Sequence, residues 1–222
     1  MNQNTTEQNQ NPIYQYLWTD VMGTTTPKKE EIKQVTDYLM NNTHVQEEAS
    51  KRTGLDNIVE KYTLGNQSPK GSPEFNEMIN IYDVAAEIGY ESKEIQLKLY
   101  QDVTDTLKDV NEKEIPISVF GTGGAKGTKL GFEGAGIGYI VNKYHTAFKN
   151  GLGSKYDPET YKKIAIQEGV NLQTVAYITD EQPEVDAAVE AGVGSVFLID
   201  RNAEREQKEG YSVINDYVQI LE

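Results

Sequence analysis

The chain has 222 residues, enough for one substantial core and a smaller subdomain. Lys and Arg total 21 against 35 Asp and Glu, a formal net charge of −14, which argues against nucleic acid or an anionic membrane surface as partner. The absence of cysteine excludes thiolate catalysis, cysteine-based metal centres and disulfides, and no apolar run approaches the ~18 residues a membrane span needs.

In chain order, residues 1–12 are almost all Asn, Gln, Thr and Glu, with neither the basic start nor the apolar stretch of a secretory signal. The expectation is a disordered N-terminal tail on a cytoplasmic protein. Apolar residues then cluster at 13–18, bounded by Pro12 and by a turn at 20–23, as a buried strand requires. Past Pro27 the period changes: Ile32, Val35 and Leu39 recur at helical spacing within 28–40. Residues 41–94 stay helix-like but polar, interrupted by the Gly-, Ser- and Pro-rich stretch 64–73, which reads as a loop. Another helix is predicted over 100–110, then an apolar strand over 115–120.

Two more strands are predicted at 174–178 and 194–199, with helical segments at 157–168 and 183–191. Strands alternating with helices imply an α/β fold, a Rossmann-like parallel sheet with right-handed crossovers and helices on both faces. The helical stretch between the first two strands reads as an inserted cap. The expected division is a core of 13–27 and 106–222 and a helical cap of 28–105.

The apolar strands end in polar residues suited to one chemistry. Asp20 ends the first, immediately before Gly23 and Thr24, in the crevice where open α/β sheets bind ligands, and Asp can form a covalent phosphoryl intermediate. The second ends in Gly121, Thr122, Gly123 and Gly124, a hydroxyl and a flexible run of backbone N–H groups able to hold phosphate oxygens. Lys155, after a Gly-Leu-Gly-Ser loop, can place a positive charge on the same phosphate. Asp180 ends a later strand, with Glu184 four residues on, and these carboxylates beside Asp20 are candidate oxygen ligands, directly or through water, for Mg²⁺.

The segment from Asp20 to Pro27, Asp-Val-Met-Gly-Thr-Thr-Thr-Pro, resembles the first motif of the haloacid dehalogenase superfamily, Asp-x-(Asp/Glu)-Gly-Thr, with the Thr-Thr-Thr-Pro continuation of the enolase-phosphatases of methionine salvage. The similarity extends to the C-terminus. Lys155 followed by Tyr161, Ile164 and Ala165 looks like the third motif of that group, and Thr179, Asp180 and Glu184 followed by the 185–192 helix look like the fourth. The resemblance implies an aspartyl nucleophile at Asp20 and a phosphate-binding Thr122. Thr24, Gly123, Gly124 and Lys155 become candidate substrate-binding residues. Mg²⁺ would be held by Asp20, the backbone carbonyl of Met22 and Asp180, with Glu184 in the outer shell. The implied activity is Mg²⁺-dependent release of phosphate from a small phosphorylated metabolite, diketo-methylthiopentyl phosphate, by a monomer or weak homo-oligomer.

Two departures stand out. Met22 occupies the position of the carboxylate that, in the resembling family, protonates the leaving group and activates water. In the insertion, Ile81-Tyr82-Asp83-Val84-Ala85-Ala86 replaces the usual Leu-Gln-Gly-x-x-Trp pattern. The first departure opens two alternatives: a catalytically impaired ligand-binding or regulatory homologue, and a phosphonate hydrolase whose leaving group needs no proton. A lysine of the insertion, Lys61, Lys70 or Lys93, is a candidate substitute for the missing acid/base. His44 and His145 lie outside all the motifs, Glu181 and Asp200 read as solvated charges, and Tyr16 and Trp18 read as core.

Overall fold

The computed structural model describes residues 14–147 and 152–221; the expected tail over 1–12, Ile13 and Gly151 lie outside them. Among these residues six strands, β1 Tyr16–Thr19, β2 Ile117–Gly121, β3 Val141–Thr146, β4 Val175–Thr179, β5 Ser195–Ile199 and β6 Ser212–Ile214, form one sheet in the order β3-β2-β1-β4-β5-β6. Every neighbouring pair is parallel. From β1 the chain proceeds outward to β2 and β3, then returns to place β4 on the other side. The order therefore reverses between β1 and β4, the point at which such sheets form a ligand crevice at their carboxyl ends.

Side-chain alternation with period two explains why both faces are covered. Leu17, Ile117, Val119, Ala176 and Ile178 enter one apolar cluster, while Trp18, Phe120, Val175, Tyr177 and Leu198 enter the other. The first face is covered by α5 (Gln101–Glu112) and α6 (Ala125–Gly134), the second by α7 (Pro158–Glu168) and α8 (Gln182–Ala191). Each core side chain of Val, Leu or Phe size contributes about 1.5–3 kcal/mol by leaving water. At the C-terminal end of α7, Glu168 accepts hydrogen bonds from Trp18 Nε1 (2.9 Å) and Ser118 Oγ (2.6 Å) and pairs with His145 Nε2 (2.6 Å). Burial works against its charge, but these partners hold its carboxyl below the usual range. His145 thus cross-links β3 to α7.

Between β1 and β2 lie α1 (Lys28–Asn41), α2 (Thr43–Thr53), α3 (Ile58–Asn66) and α4 (Pro73–Ser92). Their boundaries follow local chemistry. Asn42 caps α2 by accepting from the Val45 N–H, and Ser72 caps α4 by accepting from the Phe75 N–H, with Pro73 in its first turn. The loop expected over 64–73 is shorter than the composition suggests. Here α3 continues to Asn66 because Gly65 is a contact glycine: a Cβ there would overlap Met78 and the Glu74 backbone on α4. The buried stripe of α1 is Glu31, Val35 and Leu39, three positions spaced by four, so a carboxylate occupies a place where an apolar residue is the norm.

Among the described residues, the helix α6 and the strands β3 and β6 have no counterpart among the elements expected from the sequence. β3 and β6 are the two edges of the sheet, and each carries polar side chains with partial exposure, so neither shows the continuous apolar run that marks the interior strands.

Candidate active site

The carboxyl ends of β1 and β4 bring Asp20, Thr24, Asp180 and Glu184 together, and Lys155 joins them from the segment before α7. Asp20, 6% exposed, is tied to β4 through its backbone, its N–H donating to Ile178 O at 2.9 Å. One of its carboxylate oxygens accepts from Lys155 Nζ. The other lies 3.3 Å from Thr24 Oγ1, which is also 3.2 Å from Asp180 Oδ1. A hydroxyl has one proton to give, so Thr24 can donate to only one of the two carboxylates at a time, and Asp20 and Asp180 face each other across it.

The turn that follows Asp20 is built for this approach. The N–H groups of Thr25 and Thr26 both donate to Val21 O, at 2.9 and 3.1 Å, and the Gly23 N–H donates to Thr26 O at 2.8 Å. Gly23 has φ +90°, a conformation costly for a side chain, and a Cβ there would overlap the Asp180 carboxylate. Arg201 secures the turn from outside, donating from Nη2 to Thr24 O (3.0 Å) and from Nη1 to Asp102 (2.9 Å) while stacking on Tyr100.

Lys155 is 3% exposed and bridges Asp20 to Glu184, whose Oε2 lies 2.6 Å from its Nζ. The same Glu184 oxygen accepts from Tyr177 Oη (2.6 Å) and Thr179 Oγ1 (2.7 Å), so three donors converge on it and fix the ammonium's position. Burial opposes the Lys155 charge, but Asp20 and Glu184 outweigh it and hold its pKa above the ordinary value. Burial pushes Asp20 up; Lys155 pulls it down and the Asp180 charge adds to the rise. Asp180 is raised by burial, with Glu181 and Glu184 adding to the rise against the pull of Lys28.

These groups open onto a cavity of about 380 Å³. Thr122, Gly123 and Gly124 line it at the end of β2, and Met22 lines it beside Asp20. The Met22 side chain packs against the core. The opposite wall comes from the inserted helices and is largely apolar, with Ile32, Phe75, Met78, Ile79 and Tyr82. At its mouth Lys28 pairs with Glu181 (2.5 Å) and lies 3.9 Å from Asp180, and Lys70 donates to Tyr156 Oη (2.8 Å) and lies 3.6 Å from Glu181. Glu181, read as a solvated charge, is therefore a paired residue of the rim. Of the three candidate lysines of the insertion only Lys70 lines this cavity; Lys61 pairs with Glu77 at 2.6 Å, and Lys93 caps α4. Asp83, Glu31 and Lys28 also line the cavity, at positions that no motif in the sequence marks.

Fold and site together define a carboxylate centre at the carboxyl ends of a parallel, Rossmann-like α/β sheet. A family model described as haloacid dehalogenase-like hydrolase matches residues 19–198, and the chain belongs to that family. It is similar to the enolase-phosphatase E1 of Aquifex aeolicus, 34% identical over 107 residues that make up 48% of each chain. Against the enolase-phosphatase E1 of Hydrogenobaculum sp. it is 31% identical over 134 residues, 60% of this chain and 59% of that one. The chain spans about half the length of the curated relatives it matches. Among solved structures it resembles the UTR4 protein of Saccharomyces cerevisiae, with a TM-score of 0.67 and 21% identity over 92% of this chain and 98% of that one. It also resembles CbbY of Rhodobacter sphaeroides in complex with xylulose-(1,5)bisphosphate, with a TM-score of 0.64 and 14% identity over 93% and 96%. At these identities the structural likenesses establish the fold. No helix among the described residues is long and apolar enough to cross a membrane.

Proposed function

We propose that this chain is a Mg²⁺-dependent phosphoric monoester hydrolase that passes a phosphoryl group from a small metabolite to Asp20 and then to water. The observation that carries this reading is the placement of the Asp20 carboxylate between Lys155 and Thr24, facing the cavity that the Thr122, Gly123 and Gly124 loop also lines. The apolar wall favours a substrate with a hydrocarbon or thioether tail, which agrees with diketo-methylthiopentyl phosphate, the substrate implied by resemblance.

Among the described residues no three His, Asp or Glu side chains form a ready metal cluster. A cation would instead rest on the Asp20 and Asp180 carboxylates, the Met22 carbonyl and water, a hard-oxygen set suited to Mg²⁺. Two carboxylates facing one hydroxyl, Asp20 buried and Asp180 partly so, both with raised pKa, carry the excess negative charge that a divalent ion relieves. When bound, the metal would neutralise phosphate charge and align the phosphorus.

The chain's own residues do the rest. Asp20 attacks phosphorus while Thr122, the following backbone N–H groups and Lys155 hold the equatorial oxygens as charge builds on them. Glu184 keeps Lys155 in place. The inserted helices act as the cap, covering the centre and supplying the substrate wall. The expected boundary at residue 105 falls inside α5, which packs on β2 and on the final turn Tyr217–Leu221, so we place the end of the cap before α5. The chain works in the cytoplasm as a monomer or weak homo-oligomer, with the phosphorylated metabolite as its partner.

Met22 favours a second reading, a ligand-binding or regulatory protein that keeps the pocket without turnover. Phosphate release from a panel of phosphorylated metabolites, diketo-methylthiopentyl phosphate included, separates the two. Mg²⁺-dependent release that Asp20→Asn abolishes supports the hydrolase. Saturable binding without release by the natural protein, with release recovered in Met22→Glu, supports the second reading.

A further inference from the structure

Two carboxylates of the inserted helices line the cavity, Glu31 and Asp83, and their settings differ. Glu31 sits among apolar residues of α1 and α4, with the Tyr90 hydroxyl donating to it. Asp83, on α4 and 3% exposed, lies against the loop at the end of β2. A Cβ on Gly123 would stand 2.7 Å from Asp83 Oδ1, and one on Gly124 would stand 3.2 Å from Asp83 Oδ2. Both carboxylate oxygens therefore face the backbone that, in the reading above, carries the phosphate. The two glycines are what let the carboxylate come so close. Asp83 also stands in an otherwise apolar helix segment, between Tyr82 and Val84, where a charge is rarely buried without a task.

We propose that Asp83 is the general acid and base of this site, reaching from the inserted helix to supply the proton chemistry that Met22 lacks. The inference rests on the phosphatase reading and adds to it the residue that handles the proton. A phosphate seated on the Thr122, Gly123 and Gly124 loop favours the neutral form of a carboxyl beside it, the form that can donate. In the first step an Asp20 oxygen bonds to phosphorus, the bond from phosphorus to the leaving oxygen breaks, and the Asp83 proton goes to that oxygen, releasing the alcohol or enol. In the second step the Asp83 carboxylate takes a proton from water as the water oxygen bonds to phosphorus. The acyl-phosphate bond breaks, Asp20 recovers its carboxylate, inorganic phosphate leaves, and Asp83 is again protonated. No further reactant is needed.

Carrying the acid on the insertion also ties chemistry to packing. Asp83 reaches the loop only while α4 lies on α6, where a Cβ on Gly127 would meet the Asp83 carbonyl at 3.7 Å. A substrate that props these helices apart would keep its phosphate contacts but lose its proton donor.

The test compares the natural protein with Asp83→Asn in the presence of Mg²⁺, using p-nitrophenyl phosphate, whose leaving group needs no proton, and an alkyl phosphate, whose leaving group does. The natural protein turns over both. Asp83→Asn is expected to release one equivalent of p-nitrophenol per site in a fast burst and then to slow by ~10²–10⁴-fold, the usual worth of a general acid/base, because the aspartyl-phosphate lacks its base. Alkyl phosphate release should fall by a similar factor with no burst. The burst itself reports a folded site. Steady-state turnover left intact in Asp83→Asn overturns the assignment alone, as does loss of both burst and turnover, which would mark a structural role. Absence of any turnover in the natural protein overturns the phosphatase reading and the assignment with it.

Discussion

Gly23 and Asp180 occupy adjoining space, so that a methyl group on residue 23 would overlap the Asp180 carboxylate, and the glycine holds φ +90°. One position thus meets two demands, a left-handed turn and the close approach of a carboxylate to the Asp20 turn. Gly23→Ala is expected to lose about 1–3 kcal/mol of stability through backbone strain, with a further loss because the Asp180 carboxylate must move. Urea denaturation measures the first effect, and loss of phosphate release measures the second. A variant as stable and active as the parent would refute the turn geometry.

The Lys155 ammonium is held between Asp20 and Glu184, both buried. Lys155→Met leaves two carboxylates without their cation, and breaking a buried pair from one side costs about 3–5 kcal/mol. Adding Glu184→Gln should recover part of that loss, because one stranded charge is gone. The double-mutant cycle in urea checks it: strictly additive losses would show that the two groups are not coupled. Activity should be absent in both variants, since the cation that faces the phosphate is gone.

These residues differ in how far the sequence disclosed them. Asp20 and Asp180 were legible because each follows a short β-branched or aromatic run, and interior parallel strands buried on both faces produce such runs; Glu184 was legible from its spacing to Asp180, and Lys155 from the Gly-Leu-Gly-Ser loop before it and the motif it resembles. The edge strands β3 and β6 were not, since half-exposed edges read like loops; neither was α6, whose glycines weaken a helical pattern. Asp83 was passed over as a catalytic candidate because its partners, Gly123 and Gly124, lie some forty positions away in sequence, a proximity that only the packing of α4 on α6 creates. A signal was present all the same, in one acidic residue flanked by Ile81 and Tyr82 on one side and Val84, Ala85 and Ala86 on the other. Glu31 was hidden in the opposite way. It takes an apolar position in the stripe with Val35 and Leu39, while its charged neighbours in sequence suggest a solvated face.

Glu31 makes stability depend on pH. Burial raises its carboxyl pKa, and the hydrogen bonds from Tyr90 and Tyr82 only partly oppose the rise. The folded state therefore holds the proton more tightly than the unfolded chain, whose carboxyl titrates near 4.5. The contribution to stability is complete below that pH and is lost as pH rises through the folded value. Glu31→Gln should match the natural protein in acid and exceed it at neutral pH. Urea midpoints across that range test the sign, and a Gln variant less stable at neutral pH would refute it.

Asp180 is where metal binding and folding meet. Without a cation, burial and the neighbouring Glu181 and Glu184 charges raise its carboxyl pKa, and Asp180 in turn raises that of Asp20. Asp180→Asn should therefore be more stable than the natural protein at neutral pH in a chelating buffer, the mark of charges held together for function. Mg²⁺ should reverse the order. A ligand bound only by the folded state adds about 2.7 kcal/mol at a hundred times its Kd, so the natural protein's Tm should climb with Mg²⁺ while that of Asp180→Asn stays nearly flat. Thermal melts across a Mg²⁺ series decide the matter without any assay of turnover. Equal shifts in the two proteins would place the cation elsewhere and remove Asp180 from its ligands.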